Sequence, residues 1–262
     1  MDKIIKAALL QARKDIGKHG KQGILDACIP QKPDKNFIYF DCEFTGLHKN
    51  TTLISIGFVT LEGYSFYAEF TDYDKSQVND WINENVIKNL RLKATENNGS
   101  GAKLHGGMDA PRWEIIGDRE YVKKMLLIWL GWYSMMKLPE DSKIQFVSDV
   151  CHYDFVLLID LLASGGNAFE IPEIISPTCV DINQEIGYIL SYGEKSLTGF
   201  WNSIHSEGYE EKDSSATRAF DINREELATL LTNKKYQCKF KHNALFDAEI
   251  IRDIHSAIWG LK

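Results

Sequence analysis

Residues 36–70 read NFIYFDCEFTGLHKNTTLISIGFVTLEGYSFYAEF, and this stretch decides the fold. It contains three runs rich in aromatic and β-branched residues, Asn36–Phe44, Leu53–Leu61 and Tyr64–Phe70. Such residues fit a pleated, buried surface, and each run has the length of a strand. Glu62-Gly63 supplies the turn between the second and third. Three strands joined by short links predict an antiparallel meander at the start of a sheet.

Downstream, the pattern changes to helix–strand alternation. Trp81–Leu90 reads as a short helix, and Glu96–Gly107 (ENNGSGAKLHGG) as a loop. Asp118 caps a helix whose Val122, Met125, Leu126, Trp129 and Leu130 share one face. Ile144–Asp149 is a strand leading into a helix from Asp154 to Ala163, the alternation that builds the parallel part of a sheet. Asn223 caps a helix ending at Leu231, and Phe246–Trp259 is the closing helix. Upstream, Ile4, Ile5, Ala8, Leu9 and Ala12 fall on one face of a helix from Asp2 to Gly17. Residues 17–35 form a connector with a helical turn at Ile24–Ala27. The expected division is an N-terminal helical extension, 1–35, and a main α/β domain, 36–262.

Composition narrows the function. The 262 residues carry 30 Lys and Arg against 37 Asp and Glu, a formal charge of −7, with 44% hydrophobic residues. This is an ordinary globular balance. No apolar run reaches the length of a membrane span; Met125–Leu130 and Phe155–Ala163 are the longest. The first residues mix charge signs around a short apolar stretch, unlike a signal peptide. Five scattered cysteines without a CxxC pair argue for a reduced, cytoplasmic protein with neither a zinc site nor a disulfide framework. Net acidity disfavours broad wrapping of duplex nucleic acid but permits a site that meets phosphates through metal ions.

Three separated segments carry chemistry. In Asp41-Cys42-Glu43, residues two apart on a strand share a face, so two carboxylates project side by side before the Gly46 turn. Adjacent carboxylates repel unless a positive charge lies between them, and a divalent metal supplies it. In Ser148-Asp149-Val150-Cys151-His152-Tyr153-Asp154, a strand runs through a loop to a helix whose start bears a third carboxylate, Asp154. Asp149 and Asp154 also suit capping roles, and His152 is a loop histidine that either ligates or is merely exposed. In His242-Asn243-Ala244-Leu245-Phe246-Asp247-Ala248, the histidine precedes the aspartate by five residues. That spacing puts His242 on the loop entering a helix and Asp247 on its first turn. Histidine titrates near neutrality and suits a general base.

Taken together and in this order, these segments resemble the DEDD superfamily of 3′–5′ exonucleases, in the DEDDh branch whose fifth residue is a histidine. The DxExTGL element is matched by Asp41, Glu43, Thr45, Gly46 and Leu47, the second motif best by Tyr153-Asp154, and HxAxxDA by His242, Ala244, Asp247 and Ala248. Oligoribonucleases share the first wording. A bacterial and phage exoribonuclease-like group also shares Leu53–Gly57 (LISIG), the Tyr-Asp second motif and the H-x-A-L-x-D-A third, and is the nearer likeness. The resemblance spans Phe37 to Ile254, with Asn167–Gln237 longer than a minimal core of the family needs.

The resemblance implies an RNase H-like mixed sheet flanked by helices. It implies two Mg²⁺ or Mn²⁺ ions held by Asp41, Glu43, Asp154 and Asp247, with His242 taking the proton of the attacking water. Nucleoside 5′-monophosphates would leave one at a time from a free 3′ end, RNA being favoured over DNA. Thr45, Gly46 and Leu47 would meet the terminal nucleotide through backbone and the Leu47 wedge. Phe44 and Tyr153 either stack on bases or are core aromatics flanking the site. The family also admits a homodimer. The alternatives are an exodeoxyribonuclease and a catalytically inactive nucleic-acid-binding protein of the same fold.

Overall fold

A computed structural model describes residues 36–93, 99–106, 111–163, 167–192, 219–236 and 241–261. The expected N-terminal helix, the turn at Ile24–Ala27 and residues 193–218 of the long segment Asn167–Gln237 lie outside them.

The described residues form seven strands: β1 (Phe37–Phe44), β2 (Leu53–Thr60), β3 (Ser65–Phe70), β4 (Gly101–His105), β5 (Arg112–Gly117), β6 (Ile144–Ser148) and β7 (Ile175–Asp181). They make one mixed sheet in the order β4-β5-β3-β2-β1-β6-β7. The meander is present: β1 pairs antiparallel with β2, and β2 with β3. β6 lies parallel to β1, and β5 parallel to β3, with β4 antiparallel at the edge. The helices are α1 (Asp80–Asn85), α2 (Arg119–Lys137), α3 (Cys151–Leu162), α4 (Ile182–Tyr192), α5 (Arg224–Thr232) and α6 (Ala244–Trp259).

All eight residues of β2 are buried, which explains why LISIGFVT reads as a mostly apolar run, with only Ser55 and Thr60 polar, rather than an alternating one. One face of the meander carries Ile38, Phe40, Cys42, Phe58, Phe66, Ala68 and Phe70, packed with Phe146 of β6, Val122, Leu126 and Trp129 of α2 and Leu158 of α3. The opposite face is chemically different. Register places Asp41 beside Gly57 and Gly57 beside Tyr67; the neighbouring row is Glu43, Ser55, Glu69. Polar groups thus gather on one face while the other closes the aromatic core.

Several boundaries differ from expectation. The expected Glu96–Gly107 loop contains β4, whose GAKLH sequence alternates over only four residues and is exposed throughout; pairing with β5, not burial, makes it a strand. The helix expected over Trp81–Leu90 ends at Asn85 and continues as a 3₁₀ turn at Ile87–Asn89. α3 starts at Cys151, so Asp154 sits within its first turn. β5, β7 and α4 are additional elements that the sequence reading did not pick out. Asp118 and Asn223 cap their helices as anticipated, accepting from Tyr121 N and Glu226 N.

The chain divides into two compact units. One holds Lys35–Val180 with Gln237–Arg252, and thus the sheet except its last residue. The other includes Asp181–Tyr236 with Asp253–Leu261, so most of the long segment before the third motif falls there. Within that second unit Trp259 Nε1 donates to Glu185 at 3.0 Å, and Lys234 Nζ and Tyr236 Oη both donate to Asp253. Among the described residues no helix is long and apolar enough to cross a membrane.

Candidate functional site

Every residue of the three segments that the structure describes lies in the sheet-bearing unit. β1 delivers Asp41 and Glu43 to its polar face, and the register shifts between Glu43 and Phe44, bending the strand where the acids end. Thr45 turns inward. Its Oγ1 accepts from Thr52 N at 2.9 Å and also contacts Gln77 Oε1, while its own amide donates to Thr52 O at 3.0 Å. Gly46 N donates to Thr51 Oγ1 at 3.0 Å. Both amides are therefore engaged within the 45–52 loop, which narrows what this backbone can offer a ligand. Leu47 in the same loop is 71% exposed.

The second segment follows β6. Asp154 is 1% exposed and accepts a hydrogen bond from Ser148 Oγ. Cys42 Sγ of β1 lies 3.9 Å from Asp154 O, which ties the first turn of α3 to the acid-bearing strand. Asp149 is half-buried and adds to the local negative field, whereas His152 is exposed with its ring edge against Tyr153. Phe44 and Tyr153 stack face to face, centroids 5.6 Å apart and planes at 15°. They brace β1 against α3 rather than standing as two independent platforms.

The third segment enters α6. His242 adopts a left-handed conformation, φ 60°, uncommon outside glycine and asparagine. Asn243 then caps the helix, its Oδ1 accepting from Phe246 N at 3.4 Å, and Asp247 N bonds to Asn243 O at 3.0 Å. Gly57 explains how this helix reaches the acids. A Cβ built there would lie 2.3 Å from Leu245 N and 2.5 Å from Ala244 C. The start of α6 thus rests directly on β2, beside Asp41. Donor atoms of Glu43, His242 and Asp247 all lie within 4.8 Å of one another.

The electrostatics of the cluster are those of buried acids crowded together. Burial, then the charges of Asp154, Asp247, Glu43 and Asp149, hold the Asp41 carboxyl well above its ordinary range. Glu43 is raised in the same way, by burial and then by Asp247 and Asp154. Burial pushes Asp154 up to about 8, against the hydrogen bond from Ser148. The charges acting most strongly on Asp41 are all negative. Two carboxylates and an imidazole converging at this distance could hold a divalent metal ion, the carboxylates offering oxygen donors and the imidazole a nitrogen.

No protein-family model matches the chain, and no curated protein matches it significantly. Two positions near the site escaped the sequence reading of individual residues. Trp81 of α1 is 55% exposed, and its ring lies 5.1 Å from that of His242 in an edge-on arrangement. An aromatic in the first turn of a short helix gives no local sign of such a placement. Gly57 was visible only as part of LISIG, and its spatial partner lies far along the chain.

Proposed function

We propose that this chain is a metal-dependent 3′–5′ exonuclease of the DEDDh type, releasing nucleoside 5′-monophosphates, with RNA as the favoured polymer. The observation that carries the reading is the convergence of Asp41, Glu43, Asp154 and Asp247 on one end of the sheet, with His242 beside them. The sheet supports it: an antiparallel β1-β2-β3 meander with β6 parallel to β1 agrees with the mixed sheet that the resemblance implies. A cytoplasmic setting and a homodimer belong to the same reading.

Asp41, Glu43, Asp154 and Asp247 would hold the two ions. Their chemistry is charge stabilisation of the attacking and leaving oxygens of an in-line displacement. The chain's own residues do the rest. An imidazole nitrogen of His242 takes a proton from the attacking water. Leu47 abuts the terminal base, and the exposed face of Trp81 offers a surface beside His242 on which a base can stack. The left-handed turn at His242 fixes where its ring enters the site.

The reading is tested with 5′-labelled RNA and DNA of matched sequence in Mg²⁺, Mn²⁺ or EDTA. A ladder that shortens from the 3′ end, faster on RNA and absent in EDTA, is the expected result. Faster shortening of DNA would select the exodeoxyribonuclease. Binding of nucleic acid without cleavage, by protein that takes up Mn²⁺, would select the inactive binding protein.

The position of His242 among the ligating atoms favours one second reading, a direct metal ligand in place of a base. His242→Ala separates them. As a base, its loss lowers kcat by about 10²–10⁴-fold at unchanged Mn²⁺ affinity. As a ligand, its loss weakens Mn²⁺ binding measured by calorimetry.

A further inference from the structure

Tyr67 and Glu69 stand two strands away from the acid pair, on the same face of the sheet. Glu69 is fully buried, and its Oε1 accepts from Tyr67 Oη at 2.9 Å and from Leu92 N at 2.7 Å. Tyr67 Oη in turn accepts from Asn243 Nδ2 at 3.1 Å. The same Nδ2 donates to Asn89 O at 3.1 Å, and Asn89 Nδ2 donates to Lys241 O at 2.8 Å. Of the two neighbours of His242, Lys241 is therefore held by the 3₁₀ turn at Ile87–Asn89, and Asn243 by both that turn and β3. Gly57 lies between Asp41 and Tyr67 in one cross-strand row, with the start of α6 resting on it.

A buried carboxylate in the middle of a sheet is costly unless its hydrogen bonds are made. Here they run in a chain that ends at the cap of the catalytic helix. Burial, then the charge of Glu69, holds the Tyr67 hydroxyl well above its ordinary pKa, so it stays protonated and donates. A hydroxyl locked as donor to Glu69 leaves its lone pairs for Asn243, which fixes the direction of that side chain.

From this chain of contacts we propose that Tyr67, Glu69 and Asn89 are positioning residues that hold His242 in its left-handed turn through Asn243 and Lys241. The proposal rests on the reading of His242 as the base. Without the grip, a histidine at φ 60° relaxes toward the ordinary region of backbone space, and its ring leaves the acids.

Tyr67→Phe keeps the ring and removes only the hydroxyl. Expected is a fall in kcat of about 10- to 100-fold with KM unchanged, as a displacement of about 1 Å at a reacting group produces. In the His242→Ala background the same change is expected to have no further effect, because its route is through His242. Additive losses would overturn the proposal and mark Tyr67 as a structural residue only. A second readout needs no activity. The His242 and Trp81 ring centroids are 5.1 Å apart, so the His242 ring protons are expected to carry a ring-current shift in the NMR spectrum. Tyr67→Phe is expected to move those resonances toward free-histidine values, and unchanged resonances would refute the proposal. Absence of hydrolysis by the wild type, with the resonance shift still seen, would sink the exonuclease reading and leave the grip on the turn intact.

Discussion

Asp154→Asn is expected to lower metal-dependent turnover by at least about 10³-fold, the equivalent of about 4 kcal/mol of lost charge stabilisation. The same substitution is expected to stabilise the metal-free protein at neutral pH. The two effects have one cause. Asp154 is nearly fully buried beside a carboxylate-bearing strand, and burial raises its pKa to about 8. In the unfolded chain it titrates near about 3.9. Between these values the folded, metal-free protein binds more protons than the unfolded one, so stability falls as pH rises from about 4 to about 8. The asparagine side chain carries no charge to desolvate, and its amide can donate to a neighbouring carboxylate. The variant's melting temperature is therefore expected to exceed that of the wild type at pH 8 and to match it near pH 4. About 1 kcal/mol corresponds to about 2–4 °C in a chain of this size. Added Mn²⁺ should raise the wild-type value more than the variant's, which keeps the Glu43, His242 and Asp247 cluster but lacks one ligand. The checks are thermal unfolding across pH with and without Mn²⁺, and turnover on labelled RNA. Full activity in Asp154→Asn, with loss in Asp149→Ala, would show that the second acid of the site is Asp149.

What the sequence discloses about this site is the part encoded locally. Asp41 and Glu43 share a face because a strand alternates, and Phe37–Phe44 announces itself as a strand. Asp154 and Asp247 fall on first turns because the apolar periodicity after each is helical. His242 precedes its helix for the same reason. What remains hidden is what depends on strand register and on close approach between distant segments. β4 buries neither face, its alternation is too short to stand out beside glycines, and it becomes a strand by pairing with β5. Tyr67 and Glu69 read as ordinary alternating residues of a half-buried strand, yet register puts them in line with Gly57 and Ser55. The engagement of the Thr45 and Gly46 amides likewise follows from how the loop folds back on Thr51 and Thr52, which a motif does not express. Trp81 joins the site through the path of the chain after β3, not through any periodicity of its own.

Gly57→Ala is expected to damage both stability and turnover, the opposite pairing to Asp154→Asn. The new methyl would lie 2.3 Å from Leu245 N and 2.5 Å from Leu245 Cα, both backbone atoms, so no side chain can swing aside. The start of α6 must lift from the sheet, and it carries Asp247 directly and His242 on the turn before it. Asp41 and Glu43, on the neighbouring strand, stay where they are. Overpacking of this kind costs about 1–3 kcal/mol, occasionally more. A displacement of about 1 Å at the reacting groups costs about 10²-fold in kcat. Mn²⁺ affinity should fall as well, because Glu43 and Asp247 separate. Gly131→Ala supplies the control. Gly131 lies exposed in α2 with nothing within 4 Å of a built Cβ, so the same exchange there adds only helix propensity, about 1 kcal/mol in favour of the variant. A Gly57→Ala protein with wild-type melting temperature, Mn²⁺ affinity and turnover would mean that α6 slides freely on β2. The distance between the third motif and the acid pair would then be set by something other than the bare backbone of this strand.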